Sequence, residues 1–86
     1  MSVFKGQPNV DVVKRLKRAE GHLGSVIAMI EAKRPVVDLA QQLQAVEAAI
    51  GNAKQQLIHD HVERRLGEDR VTGGALREMK VLSRYL

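Results

Sequence analysis

Residues 35–66 read PVVDLAQQLQAVEAAIGNAKQQLIHDHVERRL. Leu39, Leu43, Val46, Ile50, Ala53 and Leu57 recur at intervals of four and three residues, which lines them up along one side of a helix. The segment is therefore read as one long helix whose apolar stripe is a seam for another helix. A helix of about 30 residues is roughly 45 Å long. A closed domain of this size has a diameter of about 30 Å. One subunit cannot cover that helix, and Ala45, Ala48, Ala49, Gly51 and Ala53 near its middle leave room for close approach. Two copies of the chain are expected to pair.

The preceding segment has a matching stripe at Val12, Leu16, Ala19, Leu23, Val26 and Ile30. The expected organisation of residues 1–86 is a single helical domain: a loose arm at 1–8, helix one at 9–32, helix two at 35–66 and helix three at 73–86. Asn9 is a candidate N-cap, and Pro35 suits the opening turn of helix two because its missing N–H costs little there. The short link 32–35 makes helices one and two an antiparallel pair. Gly67 is expected to stop helix two, and Glu68 to Gly74 read as a polar loop with Thr72 or Gly73 as cap. Leu76, Met79, Leu82 and Leu86 give helix three its apolar side. Gly21 and Gly24 inside helix one each cost roughly 1 kcal/mol relative to alanine, an expense that close packing by another backbone would explain.

Composition narrows the function. Aromatic residues make up 2% of the chain and tryptophan is absent, so the core must come from aliphatic side chains at helical spacing, which suits helix-on-helix packing. With no cysteine, disulfides, thiolate nucleophiles and sulfur-ligated metal sites are excluded. No apolar run has the length of a membrane span and the first residues do not resemble a signal peptide, so the expected location is cytoplasmic. The net charge is +4, and it is unevenly placed. Lys14, Arg15, Lys17 and Arg18 lie within five residues without an acid. Such a cluster can sit on phosphates, releasing counterions, or it can be a solvated helix face.

The run Arg15-Leu-Lys-Arg-Ala-Glu-Gly-His22 resembles the first-helix signature of the small copper-, nickel/cobalt- and formaldehyde-sensing repressors, the CsoR/RcnR/FrmR family. Asp38-Leu-Ala-Gln-Gln-Leu-Gln-Ala-Val-Glu-Ala-Ala49, Asp60-His61-Val62 and Arg84-Tyr85-Leu86 resemble its second helix and its ending. The resemblance implies an all-α fold of three helices per subunit, an antiparallel four-helix-bundle dimer, and dimers assembled into a flat tetramer. It also implies a repressor that binds operator double-stranded DNA through Lys14, Arg15, Lys17 and Arg18 and leaves it when an effector binds.

The sensor site departs from the family pattern. The position of the family's cysteine ligand is Val36, preceded by Pro35 where an aromatic residue is common. His61 keeps the ligand of the Asp-His motif, and Arg65 stands where relatives place a third ligand. Copper(I) prefers thiolates, and formaldehyde sensing needs a nucleophilic thiolate, so neither activity is expected here. A divalent ion of the nickel or cobalt type would have to draw on His22, His59, His61 and the N-terminal amine. His59 and His61 are about 200° apart around a helix and cannot chelate one ion together, whereas His22 could approach His61 across the hairpin or from another subunit. The blander reading makes His61 a polar residue at a helix seam and His59 a solvent-facing one. Arg65 could fill the vacated position by pairing with Glu63 or Asp60 of a neighbour, or receive an anionic effector.

The expected function is thus a cytoplasmic, non-enzymatic, DNA-binding repressor acting as a homodimer or homotetramer. Two alternatives use the same residues differently. One is an effector-blind helical oligomerisation or adaptor protein. The other is a helical-dimer enzyme using Gln41, Gln44, Gln55 and Arg15, for which no catalytic spacing is found.

Overall fold

A computed structural model describes residues 9–67 and 73–86. The described residues form three α-helices and one terminal turn, with no strand among them: α1 (Val10–Glu31), α2 (Val36–Leu66), α3 (Gly73–Leu82) and a 3₁₀ turn at Ser83–Tyr85. The expected arm at 1–8 and the loop residues 68–72, with the Thr72 cap, lie outside the described residues. The third helix tightens into the 3₁₀ turn after Leu82.

α1 and α2 form an antiparallel hairpin. Its tight connection is built at the end of α1, where the Arg34 amide donates to the Met29 carbonyl at 3.1 Å and the Lys33 amide to that of Ile30 at 3.0 Å. This paired closure requires a left-handed residue between them. Lys33 takes that conformation at φ 60°, a position that costs a side-chain-bearing residue about 1 kcal/mol or more. Pro35 then caps α2 in extended geometry, at φ −58° and ψ 140°. At the other end of α1, Asn9 makes no capping side-chain bond, so the expected role of its amide is not realised. Gly67 does end α2, though in the right-handed region.

The seam between α1 and α2 uses only part of each apolar stripe. Val12, Ala19 and Val26, seven residues apart, are buried against Val46 and Ala53, also seven apart. Val26 is wholly enclosed, at 0% exposure. The alternate members Leu16, Leu23 and Ile30 on α1 and Leu43, Ile50 and Leu57 on α2 remain about half exposed. Successive members of a four-three pattern sit to either side of the stripe's centre line, so one set closes the hairpin and the other is left facing outward. Leu23, Leu43, Val46 and Ile50 line an apolar groove of about 480 Å³, edged by Ala40, Gln44 and Glu47.

The subunit measures 55 × 31 × 13 Å, with a radius of gyration of 17.4 Å. A closed domain of this length has a radius of gyration of about 12 Å, and 13 Å is the thickness of a single helix. The hairpin is thus one layer deep. Ala75 and Ile58 are buried where α3 folds back on the end of α2. The contact side of α3 is Ala75, Met79 and Leu82, whereas Leu76 faces out, one residue off the expected side. A Cβ on Gly21, Gly24 or Gly51 would meet nothing within 4 Å. Close backbone packing does not explain these glycines within one subunit.

Candidate functional site

Lys14, Arg15, Lys17 and Arg18 are all exposed on α1, and the hairpin divides them. Arg15 and Arg18, three residues apart, border the seam with α2. Together with Ala19, His22, Ala49 and Asn52 they line a cleft of about 250 Å³ between the two helices. Lys14 and Lys17 are not among its lining. At the cleft's inner end His22 is half-buried, and its Nε2 donates to Gln42 Oε1 at 2.6 Å. That bond fixes the imidazole to the opposite helix. It also places His22 beside residue 42, and residue 42 is about 28 Å of helix from His61. The two histidines do not meet within one subunit.

The second cluster lies where α3 crosses α2. His61 Nε2 donates to Glu78 Oε1 at 2.9 Å, and Arg65 Nε lies 3.5 Å from the same oxygen. Residues 61 and 65 are one turn apart, so both side chains point to α3. The hydrogen bond from His61 holds the Glu78 carboxyl below its usual value. Partial desolvation opposes this, and the charges of His61 and Arg65 add to it. His59 points elsewhere: it is 70% exposed and its Nδ1 lies 3.0 Å from Glu63 Oε1 on its own helix.

Two expectations about Arg65 and its neighbours are thereby refined. Within the single chain the carboxylate beside Arg65 is Glu78, whereas Glu63 or Asp60 of a neighbour would be brought by a second chain. His61 lies at a helix seam, that of α2 with α3, and Asn9 before α1 lines the same hollow. Glu78 was not singled out in the sequence because its meeting with α2 depends on how α3 turns back. The only signal available was an acid three residues after Ala75 and four before Leu82, on the side that packs.

Val36 is remote from this cluster. It stands at the first turn of α2, 77% exposed, and 25 residues of helix put it about 38 Å from His61. Only a second, antiparallel chain could bring the two together. The donor set does not suit a thiolate-type metal: Val36 has no lone pair, Arg65 brings a positive charge, and the Nε2 of His61 is engaged by Glu78. Among the described residues no group of three or more His, Cys, Asp or Glu side chains is arranged to hold a metal ion. No helix among them is long and apolar enough to cross a membrane.

The model of the metal-sensitive transcriptional repressor family matches residues 9–84. The chain belongs to that family. Among its relatives are proteins named copper-sensing transcriptional repressor CsoR. The one from Mycobacterium ulcerans is 39% identical over 51 residues, which is 59% of this chain and 44% of the relative. That from Mycobacterium tuberculosis H37Rv is 33% identical over 51 residues, covering 59% and 43%, and that from Bacillus subtilis is 40% identical over 50, covering 58% and 50%. The matched segments span half or less of the length of these relatives. No solved structure gives a significant match.

Proposed function

We propose that this protein is a transcriptional repressor that binds operator DNA as a paired hairpin and acts in the cytoplasm. The observation that carries the reading is the acid-free cationic edge formed by Arg15 and Arg18 along an open cleft, in a chain whose family is one of repressors. Lys14 and Lys17 extend the same helix's charge outward to more distant phosphates. Each cation that neutralises a phosphate releases counterions, so affinity should fall steeply with salt.

The partner in assembly is a second copy of the chain. The outward set of the heptads, Leu16, Leu23, Leu43, Ile50 and Leu57, is half exposed on a body only 13 Å thick. An identical hairpin supplies an apolar surface of matching spacing, and an antiparallel dimer would cover both. Pairing of such dimers into a flat tetramer accords with this reading and adds a longer cationic face.

The effector is not a thiolate-bound metal or an aldehyde captured by sulfur, since the chain has no cysteine. A nickel- or cobalt-type ion would need donors from more than one subunit. Release by an effector of other chemistry is the first reading. The second, favoured by the ion cluster of Arg65, His61 and Glu78, is a repressor whose sensor position is held by an internal cation and which answers to no effector.

A mobility-shift titration against DNA from the gene's own promoter, at two salt concentrations, tests the repressor reading. Promoter-preferring binding that weakens as salt rises is expected, and Arg15→Ala should lower affinity for every sequence. Equal, weak binding to promoter and random duplexes would remove the repressor reading in favour of an adaptor.

A further inference from the structure

Between Gln42 and Gln56, the side of α2 beside the cationic edge of α1 carries no charge. Gln42, Ala45, Ala49, Asn52 and Gln56 recur on α2 at three- and four-residue intervals, on the side marked by the Gln42 bond to His22 and by the cleft lining. Glu47 lines the apolar groove instead. Asp11, one turn before Arg15, is not among the cleft residues. The cleft therefore presents two guanidinium groups and a carboxamide, all able to donate, with no carboxylate to compete. Its two alanines, Ala19 and Ala49, keep the floor low between the helices.

We propose that this cleft seats a backbone phosphate of the DNA duplex, with Asn52 of α2 donating to a phosphate oxygen alongside Arg15 and Arg18. Guanidinium groups match phosphate oxygens with paired N–H donors, and neutral amides commonly supply the remaining contacts to the DNA backbone. His22, tethered to Gln42, is a positioning residue that walls the inner end. DNA contact is then a property of the hairpin, not of helix one alone, and Arg15 and Arg18 differ in role from Lys14 and Lys17. The inference rests on the repressor reading above.

Asn52→Asp tests it, because the change keeps the shape of an exposed side chain and places a negative charge where the phosphate would sit. Lys54→Gln makes the same one-unit change of charge at an exposed position about 200° around α2 from Asn52 and serves as the matched control. Helicity by circular dichroism checks that both variants fold. Asn52→Asp should weaken binding to promoter and random duplexes alike by roughly tenfold or more, as expected for a like charge within about 5 Å. Lys54→Gln should stay within about twofold, since an exposed charge beyond the contact is screened. Asn52→Ala should lower affinity several-fold without altering the salt dependence, whereas Arg15→Ala should reduce the slope by about one. If wild type prefers its promoter and Asn52→Asp binds as tightly, or Lys54→Gln weakens binding equally, the cleft proposal falls and the repressor reading stands. If wild type shows no promoter preference, both fall.

Discussion

Ile50→Asp should break the assembly without replacing any of the fully buried residues of the hairpin seam. In the single subunit Ile50 is 46% exposed, on the outward flank of the same stripe whose Val46 and Ala53 close against α1. Full burial of an isoleucine side chain is worth about 1.5–3 kcal/mol. Covering the remaining half against a second hairpin thus contributes about 1 kcal/mol per copy, or about 2 kcal/mol per dimer. The aspartate does more harm than this loss, because two unpaired carboxylates would be buried at a cost of several kcal/mol each. A total of more than about 5 kcal/mol corresponds to a weakening of at least roughly a thousandfold. Sedimentation equilibrium reads the result directly, since one subunit has a mass of 9.5 kDa. Wild type should run at a multiple of that mass. The variant should dissociate to subunits, with a loss of helical signal because a layer one helix thick cannot keep its apolar groove from water. An unchanged mass and melting temperature for Ile50→Asp would refute the argument, as would a wild type that is a stable helical monomer.

Three further outcomes follow from the geometry. Lys33→Gly relieves the left-handed residue at the end of α1 and should stabilise the protein by about 1 kcal/mol, raising the melting temperature by several degrees in calorimetry. The Glu78 carboxyl is held below its ordinary value near 4.5, so its contribution to α3 docking is fully present above that value and is lost as pH falls below it. Hydrogen exchange in α3 should accelerate over that range in wild type, and Glu78→Gln should remove the acid-dependent part. Copper(I) titrated into the protein by calorimetry should give no heat of specific binding and should not release the promoter complex, because no thiolate is present to hold it.

Both long helices were legible because four-three spacing leaves few alternatives over more than twenty residues. That spacing did not reveal the division of labour within the stripe. Val26 and Leu23 look equivalent in sequence, yet one is enclosed and the other half exposed. Only the direction from which α2 approaches tells them apart. At the far end Ile58 is buried and Leu57 is half exposed, because α3 packs over this part of α2. The cationic cluster was legible as charge. Its separation into a pair lining a cleft and a pair outside it required the side of α1 that α2 covers. The Glu78 contact was hidden because it joins residues whose meeting depends on the turn between α2 and α3. Gly21, Gly24 and Gly51 still lack an explanation within the subunit.

The cationic edge along the hairpin is the feature on which the functional account depends. A mobility-shift titration with the gene's own promoter and a random duplex of equal length, at low and near-physiological salt, addresses it most directly. The account requires tight binding that prefers the promoter, weakens with salt, and loses about one unit of salt dependence in Arg15→Ala. Weak binding with no preference, unchanged by Arg15→Ala, would contradict it.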